Sequence, residues 1–215
     1  MKKIVIVGAG GFGREVKMLI DQINLRSKEF DFLGFYDDGI AKSTVINGFN
    51  VLGSVSDLLK IDYELSVVVS IADPAIKKKI HSILIGNANL NFPSLIHPNV
   101  LIGNDNVVIG QGCVICASNI ITVNINIGNF VILNLGCTTG HDTSIGDYCS
   151  FMPSVNISGE VVIEDSVYVG TGAKIINLLS IGNSTIVGAG AVVSKSLPAH
   201  CTAVGIPAKP IKFHE

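Results

Sequence analysis

From Ile109 to Val193 the chain places an apolar residue at every sixth position, running through Ile115, Ile121, Ile127 and Leu133 to Ile181 and Val187, and Thr139 alone breaks the series. A second recurrence, every eighteen residues, is closer still: Ile-Gly-Gln at 109, Ile-Gly-Asn at 127, Ile-Gly-Asp at 145, Ile-Glu-Asp at 163 and Ile-Gly-Asn at 181. Six is too short for a helical repeat unit and too regular for a chance strand pattern. It predicts a parallel β-helix in which each hexapeptide forms one flat wall and its corner, three to a coil. The apolar residue of each hexapeptide should point into the prism, and the small or β-branched residue four later (Val131, Val155, Val167, Ala173) should lie near the next corner.

Before about residue 95 the pattern is different. Lys3 to Val7 reads as a short buried strand, and Gly8-Ala-Gly-Gly-Phe-Gly13 turns it into a helix beginning near Arg14. The glycines match G-x-G-x-x-G after a strand, where bare backbone can approach a phosphate and a helix N-terminus supplies partial positive charge. A second strand, Phe32 to Tyr36, ends in Asp37-Asp38, an acidic pair suited to a ribose or sugar hydroxyl. A third, Ser66 to Ile71, precedes a helix through Lys79 to Leu84. The expected organisation is an α/β half-Rossmann domain over residues 1–90, followed by the β-helix and its tail over 91–215. A dinucleotide site needs two such halves, so this domain suits one mononucleotide-sized group rather than NAD.

Composition narrows the partners. Net charge is −2, which gives no reason to expect nucleic acid or an anionic membrane, and Lys77-Lys78-Lys79, the one basic run, reads as a solvated helix face. The first apolar stretch, Ile4 to Ala9, ends in glycines, Arg14 and Glu15, so it lacks the form of a signal peptide, and no segment reads as a membrane span. A cytoplasmic protein is expected. The five cysteines are an odd set, and Cys113, Cys137 and Cys149 share one hexapeptide position, so they read as wall-filling thiols. Cys113-x-x-Cys116 has no second pair to complete a metal site, and no metal is expected.

The hexapeptides, the Gly140-His141-Asp142 segment and the Gly205-Ile206-Pro207-Ala208-Lys209 ending together resemble the hexapeptide-repeat acyltransferases. The sialic acid O-acetyltransferase group and the nucleotide-linked amino-sugar N-acetyltransferases look nearest, and the likeness covers nearly the whole chain. The resemblance implies a left-handed prism, a homotrimer with acetyl-CoA bound between neighbouring chains, and a small N-terminal domain that binds a nucleotide-linked sugar. Carried over by position, Gly10, Gly11 and Phe12 would meet the diphosphate and sugar, Asp37 and Asp38 the uracil or ribose, and Ala72 the base pocket. Ser150, Gly159, Thr171 and Ala189 would contact acetyl-CoA, and Asn134 would help hold the acceptor group.

His141 is the candidate general base. It follows Thr139 and Gly140, where the frame breaks, and this suggests a locally remodelled corner. Acyl transfer from a thioester to an amine or hydroxyl needs a base near neutral pKa, which histidine supplies without tuning, and Asp142 would raise its basicity. Residues eighteen apart stack about 4.8 Å apart on adjacent coils, so Gly159 lies beside His141, leaving room for the thioester and a free N–H for its carbonyl oxygen. The same arithmetic makes Pro153, Thr171 and Ala189 one ridge. Two rivals remain. A three-histidine zinc site fails because His97 and His141 are not eighteen-fold related. A catalytically silent nucleotide-sugar-binding protein is opposed by the intact Gly-His-Asp, while amine and hydroxyl acceptors stay open.

Overall fold

The computed structural model describes residues 1–214. Its first layer is a sheet of Lys2–Val7 (β1), Phe30–Tyr36 (β2), Val45–Ile46 (β3), Phe49–Gly53 (β4), Leu65–Val69 (β5) and Leu90–Asn91 (β6), ordered β3-β4-β2-β1-β5-β6. All pairings are parallel except the β3–β4 hairpin, an edge device too short to carry a periodic signal. Ile4, Val5, Ile6 and Val7 are all buried, as expected of a central parallel strand covered on both faces.

Two helices follow β1 and β5. The first, Gly11–Ser27 (α1), starts at Gly11 rather than near Arg14, with Gly10 at its N-cap. Gly13 is obligatory: a Cβ there would collide with the Gly8 carbonyl oxygen. Val16, Leu19, Ile20 and Ile23 form its buried stripe at helical spacing. The second, Pro74–Leu84 (α2), has Asp73 as N-cap, its carboxylate accepting the Ile76 N–H at 2.9 Å.

The rest of the chain is a three-walled parallel β-helix. Its first wall stacks Leu95–Ile96, Val114–Ile115, Ile132–Leu133, Ser150–Phe151, Tyr168–Val169 and Ile186–Val187, and is closed by Cys201–Val204 and the antiparallel Lys209–Phe213. The second wall runs from Leu101–Ile102 to Val192–Val193, the third from Val107–Ile109 to Ser180–Ile181. Partners are eighteen residues apart, as in Val114↔Ile132 and Ile132↔Ser150. The first coil is one residue longer, pairing Leu101 with Ile120 but Val107 with Ile125, and this insertion hides Ile96 and Ile102 from the six-residue frame.

Each corner turns through one left-handed residue. Positive φ recurs at every sixth position from Asn106 to Gly190, mostly on Asn, Ser, Asp and Gly, the residues that tolerate it best. The next residue points inward, so Val131, Val155, Val167 and Ala173 are fully buried beside the frame residues. Thr139 is buried too, and its hydroxyl has no partner among the described residues. Contrary to the expectation of a remodelled corner, the register there is unbroken, and Asp142 at φ 57° matches Asn124 at 54° and Glu160 at 57°. All five cysteines are buried free thiols, and burial pushes Cys149 up to about 12.

The lysine run is not a uniformly solvated face. Lys77 is only 1% exposed, pressed between α2 and the first wall, where its Nζ donates to Ser150 Oγ at 2.8 Å and to the Cys149 carbonyl at 3.1 Å. Burial holds its amine down at about 7, an effect that the nearby thiols and the Asp73 carboxylate offset only in part. Beside it His81 Nδ1 meets the Tyr148 hydroxyl at 2.8 Å, and the ring packs on Phe130 and Phe92. The α/β layer therefore sits on the first wall, with α1 against Leu95–Ile96 and Val114 and Ile132 sharing its apolar core.

Candidate active site

Three columns of corners run along the prism, and the candidate residues divide among them. The corner between the second and third walls stacks Asn106, Asn124, Asp142 and Glu160 as its left-handed residues, with His141 and Gly159 one position earlier. Here the imidazole Nδ1 lies 2.8 Å from Asp142 Oδ2, and both side chains are about half exposed. Asp142 Oδ1 accepts from Asn124 Nδ2 at 2.8 Å. The bond to His141, reinforced by that from Asn124, holds the Asp142 carboxyl below the usual carboxylate range.

Gly159 lies directly under the ring. A Cβ at this position would stand 2.5 Å from His141 Cε1 and closer yet to Nε2, so only glycine leaves the imidazole its place. Its N–H donates no hydrogen bond among the described residues, while its carbonyl accepts from Leu178 and the His141 carbonyl accepts from Glu160. Gly140, stacked above, is equally constrained: its Cβ would stand 2.6 Å from the Gly159 nitrogen. A neutral imidazole donating through Nδ1 thus keeps a basic Nε2 beside an unused backbone donor.

Thr171 and Ala189 stand together on a different corner, between the first and second walls, both exposed and with their N–H groups unused among the described residues. Within one chain the width of the second wall separates them from His141. Ser150 is a correction. Its side chain is fully buried under α2 and held by Lys77, so it offers nothing to a ligand on the prism surface. Asn134 is also buried and turned to its own corner, its Oδ1 accepting the Leu135 N–H at 2.7 Å, and it does not approach His141 of the same chain.

In the N-terminal layer Gly10 and Gly11 are exposed at the start of α1, with no atom within 4 Å of a Cβ built on Gly10. Phe12 is half-buried against the apolar core, more a packing residue than a free contact. Both oxygens of Asp37 are engaged, by the Ala9 N–H at 2.8 Å and the Gly39 N–H at 2.8 Å, so this carboxylate shapes the glycine turn itself. Asp38 accepts from the Val55 N–H at 2.8 Å through one oxygen, and the other has no hydrogen bond among the described residues. Ala72 lines a cavity of about 810 Å³ between the start of α2, Lys78, Tyr168 and Ile186. Among the described residues no group of three His, Cys, Asp or Glu is arranged to hold a metal, and no helix is long and apolar enough to cross a membrane.

Residues 3–84 match the family model of the PglD N-terminal domain. Over 96% of its length the chain is 37% identical to GDP-perosamine N-acetyltransferase of Escherichia coli O157:H7, covering 95% of that protein. It belongs to the PglD-like acetyltransferases of the hexapeptide-repeat family. Two solved structures of this type superimpose on the acetyltransferase almost end to end. WeeI from Acinetobacter baumannii AYE is 38% identical with TM-score 0.89, over 98% of this chain and all of that one. PerB from Caulobacter crescentus, solved with CoA and GDP-perosamine, is 28% identical with TM-score 0.85, over 99% of this chain and 98% of that one.

Proposed function

We propose that this acetyltransferase moves the acetyl group of acetyl-CoA onto the amino nitrogen of a nucleotide-linked 4-amino sugar, a GDP-sugar of the perosamine type being the first candidate. The observation that carries the reading is the His141–Asp142 pair, with Nε2 over Gly159 and the Gly159 N–H unused. The neutral amine attacks the thioester carbonyl while its proton passes to His141 Nε2. Asp142 stabilises the imidazolium that forms, and the Gly159 N–H donates to the developing oxyanion. The C–S bond then breaks, and the departing CoA thiolate takes the proton back from Nε2. The amide and CoA–SH are the products, and the histidine ends as it began.

One chain does not complete this site. Its N-terminal layer rests on the first wall, whereas His141 stands on the corner between the second and third, across the prism from Gly10 and Gly11. A sugar held by the nucleotide domain therefore meets the histidine of another copy. A homotrimer would supply that second copy, with acetyl-CoA running between the His141 corner of one chain and the Thr171–Ala189 ridge of its neighbour. Subunit mixing tests the sharing. Gly10→Asp has room for its side chain but opposes a diphosphate, and His141→Ala lacks the base. Each is expected to be inactive alone, whereas co-refolded equal mixtures should regain about a quarter of parent activity. Mixtures that stay inactive would show that each chain works alone.

A further inference from the structure

We propose that Asn124 is a positioning residue for the general base, one that acts on His141 through Asp142, an inference that rests on the reading of His141 above. Asn124 Nδ2 donates to Asp142 Oδ1 at 2.8 Å, and the other carboxylate oxygen faces His141 Nδ1 at 2.8 Å. Asn106 Nδ2 in turn donates to Asn124 Oδ1 at 3.2 Å. The three are left-handed corner residues at eighteen-residue spacing, with φ of 51°, 54° and 57°, so the backbone repeat itself puts each side chain on the next.

The chemistry gives the chain a direction. Only an amide NH2 can face an ionised carboxylate, so the Asn124 oxygen must face Asn106, which has an NH2 to offer it. The amide is thereby fixed from both ends without a charge. A carboxylate with Oδ1 so engaged has one lone-pair set left for the imidazole, in a single rotamer. It therefore selects the histidine tautomer with hydrogen on Nδ1 and the lone pair on Nε2, the nitrogen that lies over Gly159. An exposed Asp142 without Asn124 would turn about its side-chain bonds, and the imidazole would divide its time among tautomers and rotamers. Neutrality of the amide matters as well. A carboxylate in its place would add a second negative charge two bonds of the relay from the histidine and raise the imidazole's proton affinity.

The test uses the full-length oligomer, with Asn124→Ala, Asn124→Asp and the double variant Asn124→Ala/Asp142→Asn. Asn124 is exposed but left-handed, so Asn124→Ala should lower the melting temperature slightly through alanine's poorer tolerance of φ 54°, leave both KM values near parent and lower kcat roughly three- to tenfold, the worth of one charge-assisted bond partly replaced by water. Histidine ¹⁵N spectra should show a smaller share of the Nδ1–H tautomer. Asn124→Asp should move the acidic limb of kcat/KM to higher pH, opposite to the displacement in Asp142→Asn. In the double variant the alanine should cost nothing beyond Asp142→Asn, since the relay is already cut. The inference is overturned if Asn124→Ala keeps parent kcat and tautomer balance, or if its effect persists undiminished in the double variant. Should His141→Ala itself retain parent turnover, the failure belongs to the catalytic reading and not to Asn124.

Discussion

Replacing Lys77 with methionine should remove a pH dependence of folding that the buried amine creates. The group is depressed from 10.5 to about 7 because burial removes its water and supplies only two neutral acceptors, Ser150 Oγ and the Cys149 carbonyl. Between those two values the unfolded chain holds a proton that the native chain lacks, so stability rises with pH across the window, and it is flat with respect to this group below about 7. The slope approaches but does not exceed about 1.4 kcal/mol per pH unit, or about 2 kcal/mol between pH 7 and 8.5. Above that range the opposite trend sets in. The buried thiols of Cys116, Cys137 and Cys149 have native pKa values of about 11 to 12, so the unfolded chain loses their protons first. Urea unfolding by circular dichroism at fixed protein concentration, at pH 7 and 8.5, separates the two. The parent should gain stability over this interval, while Lys77→Met should lack that gain and should match or exceed the parent at pH 7, since an unpaired buried cation costs more than two neutral hydrogen bonds return. An equal pH gain in the methionine variant would refute the assignment of the slope to Lys77.

Gly159→Ala should fold, because the collision is with the half-exposed imidazole, but the displaced base should lower kcat by roughly 10²-fold or more, with acetyl-CoA affinity changed less; parent-like kcat would contradict the packing of ring on glycine. Asp142→Asn removes the charge beside the imidazole, so the acidic limb of the kcat/KM profile should move to lower pH and kcat should fall by less than in His141→Ala; an unmoved limb would detach Asp142 from the base. Light scattering at micromolar concentration should give the mass of three chains, and a monomer would remove the shared site.

The prism was legible because its period is written in the frame residues, and because stacking at eighteen converts sequence distance directly into contact. That arithmetic located Gly159 beside His141. The same spacing in the other direction from Asp142 reaches Asn124 and Asn106, partners that no motif around the histidine marks. The first coil was hidden by a single inserted residue, which breaks the frame without breaking the wall. Interactions between the two layers were not legible. Lys77 shares the helical spacing of the buried Ile80 and Leu84, but its charge and its place in a run of three lysines mask that sign, and Ser150 differs in no local way from an exposed wall residue until α2 covers it. The place of Asp37 after β2 suits a ligand contact, but the glycine turn consumes both of its oxygens.

Mass spectrometry of an acetyl-CoA reaction with a GDP-linked 4-amino-4,6-dideoxy sugar, run beside the same sugar bearing a 4-hydroxyl and beside the His141→Ala enzyme, decides whether His141 drives acetyl transfer to a sugar amine. The amino sugar should gain one acetyl group with CoA thiol released in equal amount, and the hydroxyl sugar should give no product. Turnover should be lowered roughly 10²- to 10⁴-fold in the histidine variant. Acetylation of the hydroxyl sugar in preference to the amine, or parent-like turnover without His141, would contradict that role.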